Sequence, residues 1–404
     1  LLLLPVRMSH QAAWLILLLL GIARALQAPR RLWLQPEMRL FGVCFGLMFI
    51  PLLFSNLAAV DPFDAARNTV RYLGFLLVAA ALLLQPESLR STRPLWWIVL
   101  LSLSVWVVDG LWQYVVGVSL FGAPLTDAEF HEGSITGVFH PDLRIGIILA
   151  HLLPLYVESL CRLARGHWRV LWLLLPAYLV VILLSGSRMA WAVTALAFAF
   201  YGVYRVVVSS NRPRALLLLT AATLVGLVAV WVGTLVSPPF DQRMERTLHL
   251  LRFDYASWDH ATSLRMQVWT AAIEVVREHW LLGVGARGFT ETALAMGVMQ
   301  QGFLHTHLTG LEVAVATGLP GLVAYLVAFA VFLVWWLRRS RQHPGVFLPG
   351  LAAFLMLSPL NAHWSFYSTY YTTVLWLLMF SVLLVAREAR LGSGAARTRT
   401  AGGD

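Results

Sequence analysis

Lysine is missing from this chain of 404 residues: all 30 basic residues are arginine. Charge of either sign is scarce. Asp, Glu, Lys and Arg make up 12% of the sequence, where a soluble domain carries about 25%. A surface that poor in charge excludes a soluble globular enzyme. Cysteine is nearly absent too. Cys44 and Cys161 sit in or at the end of apolar runs. They read as small buried hydrophobes and carry no redox information. No cleavable signal segment is read at the start; residues 1–6 read instead as the tail of a further spanning helix.

What is present is apolar sequence in long blocks. Hydrophobic residues make up 59% of the chain, and mean hydropathy is +0.72. Runs long enough to cross a bilayer, roughly 20 residues each, recur at 39–60, 94–116, 214–236 and 368–386. Solid runs exclude a β-barrel, whose strands alternate in short segments. The fold class is an all-α polytopic membrane protein lying in a lipid bilayer.

Arginine placement orients the spans. Nineteen of the 30 arginines fall in six segments: 24–39, 90–93, 162–169, 205–214, 338–341 and 387–399. The positive-inside rule makes those cytoplasmic. The rule yields eleven spans, at about 11–27, 39–60, 65–84, 94–116, 144–161, 168–185, 189–209, 214–236, 319–337, 346–358 and 368–386. A helix ahead of Arg7 would make twelve. The organisation read from this has four parts. Residues 1–236 are N-terminal transmembrane helices, and 237–308 form one large outward loop segment with an amphipathic helix. Residues 309–391 are C-terminal transmembrane helices, and 392–404 a disordered cytoplasmic tail. Arginines on the outward side or at its edge, among them Arg67, Arg71, Arg188, Arg265 and Arg287, have no topological reason to be there. Charge near a bilayer is costly and marks function.

The outward segments hold the candidate chemistry. Arg67 and Arg71 are four apart and share a helix face. Segment 119–144 contains Asp127, Glu129, His131, Glu132, His140 and Asp142, and segment 359–371 is aromatic and holds His363. Within 263–282, Leu264, Val268, Ala271, Ala272, Val275 and Val276 recur at threes and fours. That spacing predicts an amphipathic helix with Ser263 as N-cap. Trp269 and Trp280 suit a membrane interface. Gly283-Val284-Gly285-Ala286-Arg287-Gly288 fits G-x-G-x-x-G, but no strand precedes it and no βαβ unit surrounds it, so a dinucleotide site is rejected. It reads as a flexible turn that lets backbone or Arg287 approach a ligand. A helix is predicted from about Thr309 through Gly318-Leu319-Pro320-Gly321. Asp109, inside a span, is either hydrogen-bonded to a neighbouring helix or functional.

Three readings of His305 and His307 stay open on the residues alone. They can be satisfied structural histidines, or metal ligands with His131, Glu132, His140 or Asp142, although the spacing matches no known ligand signature. They can also be a base or orienting group, since imidazole titrates near neutrality and suits abstraction of a sugar hydroxyl proton. Arginines beside such a base would hold a diphosphate leaving group by bidentate contacts.

Four motifs in order then carry a resemblance. Leu184-Ser185-Gly186-Ser187-Arg188-Met189-Ala190-Trp191 resembles the S-x-S-R-x-A signature of the O-antigen ligase and polymerase superfamily. Gly137-Val138-Phe139-His140-Pro141-Asp142 resembles its G-x-F-x-P-N segment, with Asp142 in place of Asn. Arg265 with Trp269, followed by Gly283-Val284-Gly285, resembles R-x-x-x-W … P-x-x-G-x-G, with leucines in place of the Pro. His307-Leu308-Thr309-Gly310-Leu311-Glu312, then Gly318-Leu319-Pro320-Gly321, resembles H-N-x-x-L-E … G-x-x-G, with Leu308 in place of Asn. The resemblance covers roughly residues 100–340.

That resemblance implies a GT-C-type glycosyltransferase fold of 11–12 helices in a Gram-negative inner membrane, with the 237–308 segment and the active site periplasmic. It implies an undecaprenyl-diphosphate-linked O-antigen donor, a lipid A–core acceptor, and inverting transfer without metal, cofactor, nucleotide or nucleic acid. Neither a P-loop nor a DxD-type carboxylate pair occurs in the sequence, so the activated donor must supply the energy. Residue by residue, His307 would be catalytic, and Arg188, Arg265 and Arg287 would bind the donor diphosphate. His305, Asp142, Arg67 and Arg71 would be supporting. Within the superfamily the ligase is favoured over the polymerase and the O-linked protein oligosaccharyltransferase, because the one long outer segment lies late in the chain. A lipid-linked glycan flippase is the rival of another class. It would line a central cavity with arginines, whereas here they gather at one membrane face.

Overall fold

The computed structural model describes residues 9–27, 35–83, 91–126, 134–164, 166–236, 238–252, 254–263, 265–300, 303–362 and 365–401. Asp127, Glu129, His131, Glu132 and His363 lie outside them, as do residues 1–6. Among the described residues there is no strand, only one isolated bridge between Val118 and Pro124, and the architecture is all-α. Eight described helices are long and apolar enough to cross a membrane, and three shorter apolar helices accompany them at Trp14–Gln27, Trp168–Leu184 and Pro344–Met356. Each of the eleven spans read from the sequence has a helix.

The chain divides into two compact units. The division falls after Ser263, within the segment 237–308.

The first unit is the run Arg93–Ser263. It contains α4 (Arg93–Val116), α5 (Ile145–Leu163), α6 (Leu174–Leu184), α7 (Arg188–Val208), α8 (Arg212–Val236), α9 (Pro238–Leu248) and α10 (Tyr255–Ala261). Helix α5 is its centre, with all but a few residues buried. Tyr156 of α5 stacks on Tyr178 of α6 at 4.3 Å, and the Tyr178 hydroxyl donates to Leu149 O at 2.7 Å. Asp109 and Gln113, one turn apart on α4, organise the loop that follows. Asp109 Oδ1 accepts from Leu120 N–H at 2.7 Å. Gln113 Oε1 accepts from Thr136 and Gly137 N–H at 2.9 and 2.7 Å. The partner of Asp109 is thus loop backbone and not a neighbouring helix, and its Oδ2 is buried without a hydrogen-bond partner among the described residues.

The second unit joins 9–92 to 265–401 over the described residues. It holds α1 (Ser9–Gln27), α2 (Pro36–Ser55), α3 (Pro62–Leu83), α11 (Arg265–Glu278), α12 (Phe289–Ala295), α13 (Thr309–Gln342), α14 (Phe347–Met356) and α15 (Thr369–Ala401). Its core is aromatic: Trp376 of α15 meets Phe41, Phe45 and Phe75 within 6 Å. On the arginine-rich side, Arg390 grips the buried Glu37 through two 2.9 Å contacts. Two expectations change. Helix α15 runs on to Ala401, past Gly392 where the sequence predicts disorder. Helix α13 starts at Thr309 as predicted but does not run through Gly318 unbroken, for that residue has φ 72° and ψ −179°.

Candidate functional site

The site in the second unit is built around the break in α13. At Gly318 the chain leaves helical geometry, and Leu319 N–H donates to Trp280 O at 2.7 Å. The turn after α11 then runs beside the helix: Val284 N–H donates to Val315 O at 2.9 Å and Gly285 N–H to Ala316 O at 3.1 Å. Gly283 faces the backbone of Ala316 and Thr317 so closely that a Cβ would overlap it. The glycine-rich segment is thus a braced turn, not a flexible one. Its glycines are there because two backbones touch.

Helix α11 is amphipathic, as its spacing predicts. Val268, Ala271, Ala272 and Val275 are buried with Val284, Phe289, Ala293 and Val315. The apolar face therefore packs on protein. Ser263 is not the residue preceding the helix, which begins at Arg265. Its hydroxyl instead accepts from Arg188 Nη2 at 2.9 Å. On the helix's other side Trp269 donates its indole N–H to Thr306 O at 3.0 Å. Thr290 of α12 donates to Phe303 O at 2.5 Å. These bonds hold the loop of 303–308 at both ends.

That loop carries both histidines. Their rings lie 3.9 Å apart at 42°, and His307 has φ 53°. A left-handed backbone at a residue other than glycine costs about 1–2 kcal/mol and persists where surroundings impose it. What imposes it follows in the chain: Thr309 N–H donates to Asn361 O and Gly310 N–H to Pro359 O, both at 2.9 Å.

The arginines of this unit divide by role. Arg265, at the start of α11, donates to Ala362 O at 2.5 Å. Arg287, on the braced turn with φ 71°, lies 3.6 Å from Asp64 Oδ2 and is half exposed. Arg67 lies 3.8 Å from the other Asp64 oxygen. Asp61 caps α3 by accepting from Phe63 and Asp64 N–H at 3.0 Å each, with Pro62 in the first helical position that suits it. Arg71 does not stand beside Arg67 as a second open cation. It donates to Thr369 Oγ1, Asn68 Oδ1 and Tyr367 O, each at 2.5 Å. Three protein acceptors make it a latch between α3 and the start of α15.

Two acids of the site had no role assigned from sequence. Asp64 serves both Arg67 and Arg287; its signal was its place three residues before Arg67 in the first turn of a helix. Glu312 is buried in the first turn of α13, where its Oε1 accepts from Ser365 Oγ at 2.5 Å. Its Oε2 is buried without a hydrogen-bond partner among the described residues.

The first unit holds its own arginine group. Ser187 caps α7, accepting from Ala190 N–H at 3.3 Å, and so sets Arg188 at the helix start. Arg188 has Arg243 and Arg246 as its charged neighbours. Arg243 donates to Ser134 Oγ at 2.7 Å, and burial, then Arg246, pushes its guanidinium pKa down. Sequence spacing gave no hint of Arg243, because the contact joins α9 to a loop before α5. Asp142, half exposed, pairs with Arg144 at 3.3 Å.

No curated protein matches the chain. Residues 171–326 match the family model described as O-Antigen ligase. The matched stretch contains Arg188, Arg265, Arg287, His305, His307 and Glu312, and leaves out Arg67, Arg71 and Asp142. Over residues 171–326, less than half of its length, the chain is similar to the O-antigen ligase family.

Proposed function

We propose that the protein is an O-antigen ligase, which moves an O-antigen glycan en bloc from undecaprenyl diphosphate to lipid A–core at the periplasmic face of a Gram-negative inner membrane. The observation that carries the proposal is the histidine loop: a strained His307, pinned on both sides and lying in the family-matched segment. In the proposed reaction the acceptor hydroxyl oxygen attacks the anomeric carbon. The bond from that carbon to the phosphate oxygen breaks, and its electron pair leaves with undecaprenyl diphosphate. His307 takes the hydroxyl proton, and His305 supports its ring. Arg265, Arg287 and Arg188 are each proposed to contact donor phosphate, where a planar guanidinium meets oxygens in pairs. The test is reconstitution with lipid-linked glycan and rough lipopolysaccharide and no nucleotide. Formation of a lipopolysaccharide ladder is the expected result. Glycan growth on the lipid carrier alone would make the protein a polymerase.

The arginines are separable by the same assay. Arg265→Ala and Arg188→Ala are each expected to weaken donor binding about 10–100-fold, the worth of a charge-assisted hydrogen bond. Lysine at either position should rescue poorly, because an ammonium lacks the fork. Arg71→Ala, by contrast, should lower the melting temperature and leave donor affinity within about twofold, since its three partners are protein atoms. Equal loss of donor affinity in all three variants would add Arg71 to the binding set.

A further inference from the structure

Residues 359–362 and 365–369, from the end of α14 to the start of α15, meet three elements of the second-unit site: the start of α13, α11 and α3. Pro359 O and Asn361 O take the N–H groups of Gly310 and Thr309, which follow His307. Ala362 O takes the Arg265 guanidinium. Tyr367 O and Thr369 Oγ1 take Arg71. A connection between helices has few contacts to fix it unless something buried grips it. The grip here is Glu312, whose Oε1 receives the Ser365 hydroxyl. An acid on a mostly apolar helix is costly to keep. The Ser365 hydroxyl and the nearby Arg287 charge offset part of that cost. Nothing in the proposed transfer uses Glu312 directly.

We propose that Glu312 is a positioning residue: by holding Ser365 it fixes 359–362, and through them the His307 loop and the Arg265 guanidinium. This rests on the ligase reading for its effect on transfer, though not for the coupling itself. Glycosyl transfer needs the base and the donor arginines fixed relative to one another, and small misplacements are expensive in rate. Glutamine at 312 keeps an oxygen that can accept from Ser365. Alanine keeps none.

The experiment compares Glu312→Ala, Glu312→Gln and Ser365→Ala in the full chain, with melting temperature, single-turnover rate, donor affinity and backbone amide exchange read on each. Glu312→Ala is expected to cut turnover about 10–100-fold, the range for misplacing a reacting group. Glu312→Gln should recover to within about threefold of wild type, as expected when hydrogen bonding and not charge is the requirement. Ser365→Ala should move turnover in the same direction as Glu312→Ala, and it stands in if that variant fails to fold. Exchange at Thr309 and Gly310 should quicken in Glu312→Ala while α5 stays unchanged. A glutamine variant as impaired as alanine overturns the proposal, because the acid would then be needed for its charge or proton. So does a folded alanine variant with wild-type turnover, or unchanged exchange at Thr309 and Gly310. Wild-type protein run alongside separates the two readings: if it transfers no glycan the ligase assignment fails, while the exchange result decides the coupling independently.

Discussion

Removing the imidazole of His307 is expected to lower turnover by about 10²–10⁴-fold, the span for losing a general acid–base group, with donor binding nearly intact. The choice of replacement matters because the backbone there has φ 53°. Alanine at that angle adds strain of its own, whereas glycine adopts it freely. His307→Gly is therefore the cleaner deletion, and His307→Ala should match it in turnover but melt lower. His305→Ala should be milder, since it removes the ring 3.9 Å away and leaves the pinned backbone in place. Single-turnover rates and donor affinity, measured on folded protein, decide the matter. Near-normal turnover in His307→Gly alongside a dead His305→Ala would exchange the two roles. Activity in both would end the histidine mechanism.

The largest effect on folding is expected at Gly318. Its φ 72° and ψ −179° fall in a region open essentially to glycine, costing a side chain about 1–3 kcal/mol. A Cβ there would also sit 2.5 Å from Leu281 O and 2.6 Å from Trp280 O, so the braced turn would have to move off the helix. Leu319, Val284 and Gly285 would then lose their backbone partners. Each unpaired buried amide costs about 1–3 kcal/mol more. Gly318→Ala should thus yield little folded protein, or protein with a much lower melting temperature. Gly46→Ala is the control: a Cβ there meets nothing within 4 Å, and it should be neutral or slightly stabilising in a helix. Equal melting of the two variants would mean that the break in α13 is not held by glycine.

The spans were legible because a bilayer demands long apolar runs, and that demand is written locally in the sequence. The amphipathic face of α11 was legible for the same reason: Val268, Ala271, Ala272 and Val275 repeat at the helical period. What was not legible depended on partners far away in sequence. Arg67 and Arg71 look equivalent on a helix, yet only Arg71 reaches Tyr367 and Thr369. Ser263 has the chemistry of an N-cap, but its hydroxyl serves Arg188. The glycines at 283 and 285 read as flexibility, because sequence cannot tell a free turn from one pressed against Ala316 and Ala59. Glu312 was visible as a letter in a motif and mute as to role until Ser365 came beside it.

The stretch between α14 and α15 also sets an order of events during synthesis. Helices α1 to α3, which bring Arg71, leave the ribosome ahead of the other elements of the site. The whole of Arg93–Ser263 follows before Arg265 and His307 appear. Residues 359–369 come near the end, and only then can Pro359, Asn361 and Ala362 offer the carbonyls that the earlier elements need. A nascent chain halted before that point would carry its arginines and histidines already inserted, but unset. The His307 loop and the Arg265 guanidinium would thus be set in place only once residues 359–362 had been made, well after the elements they hold.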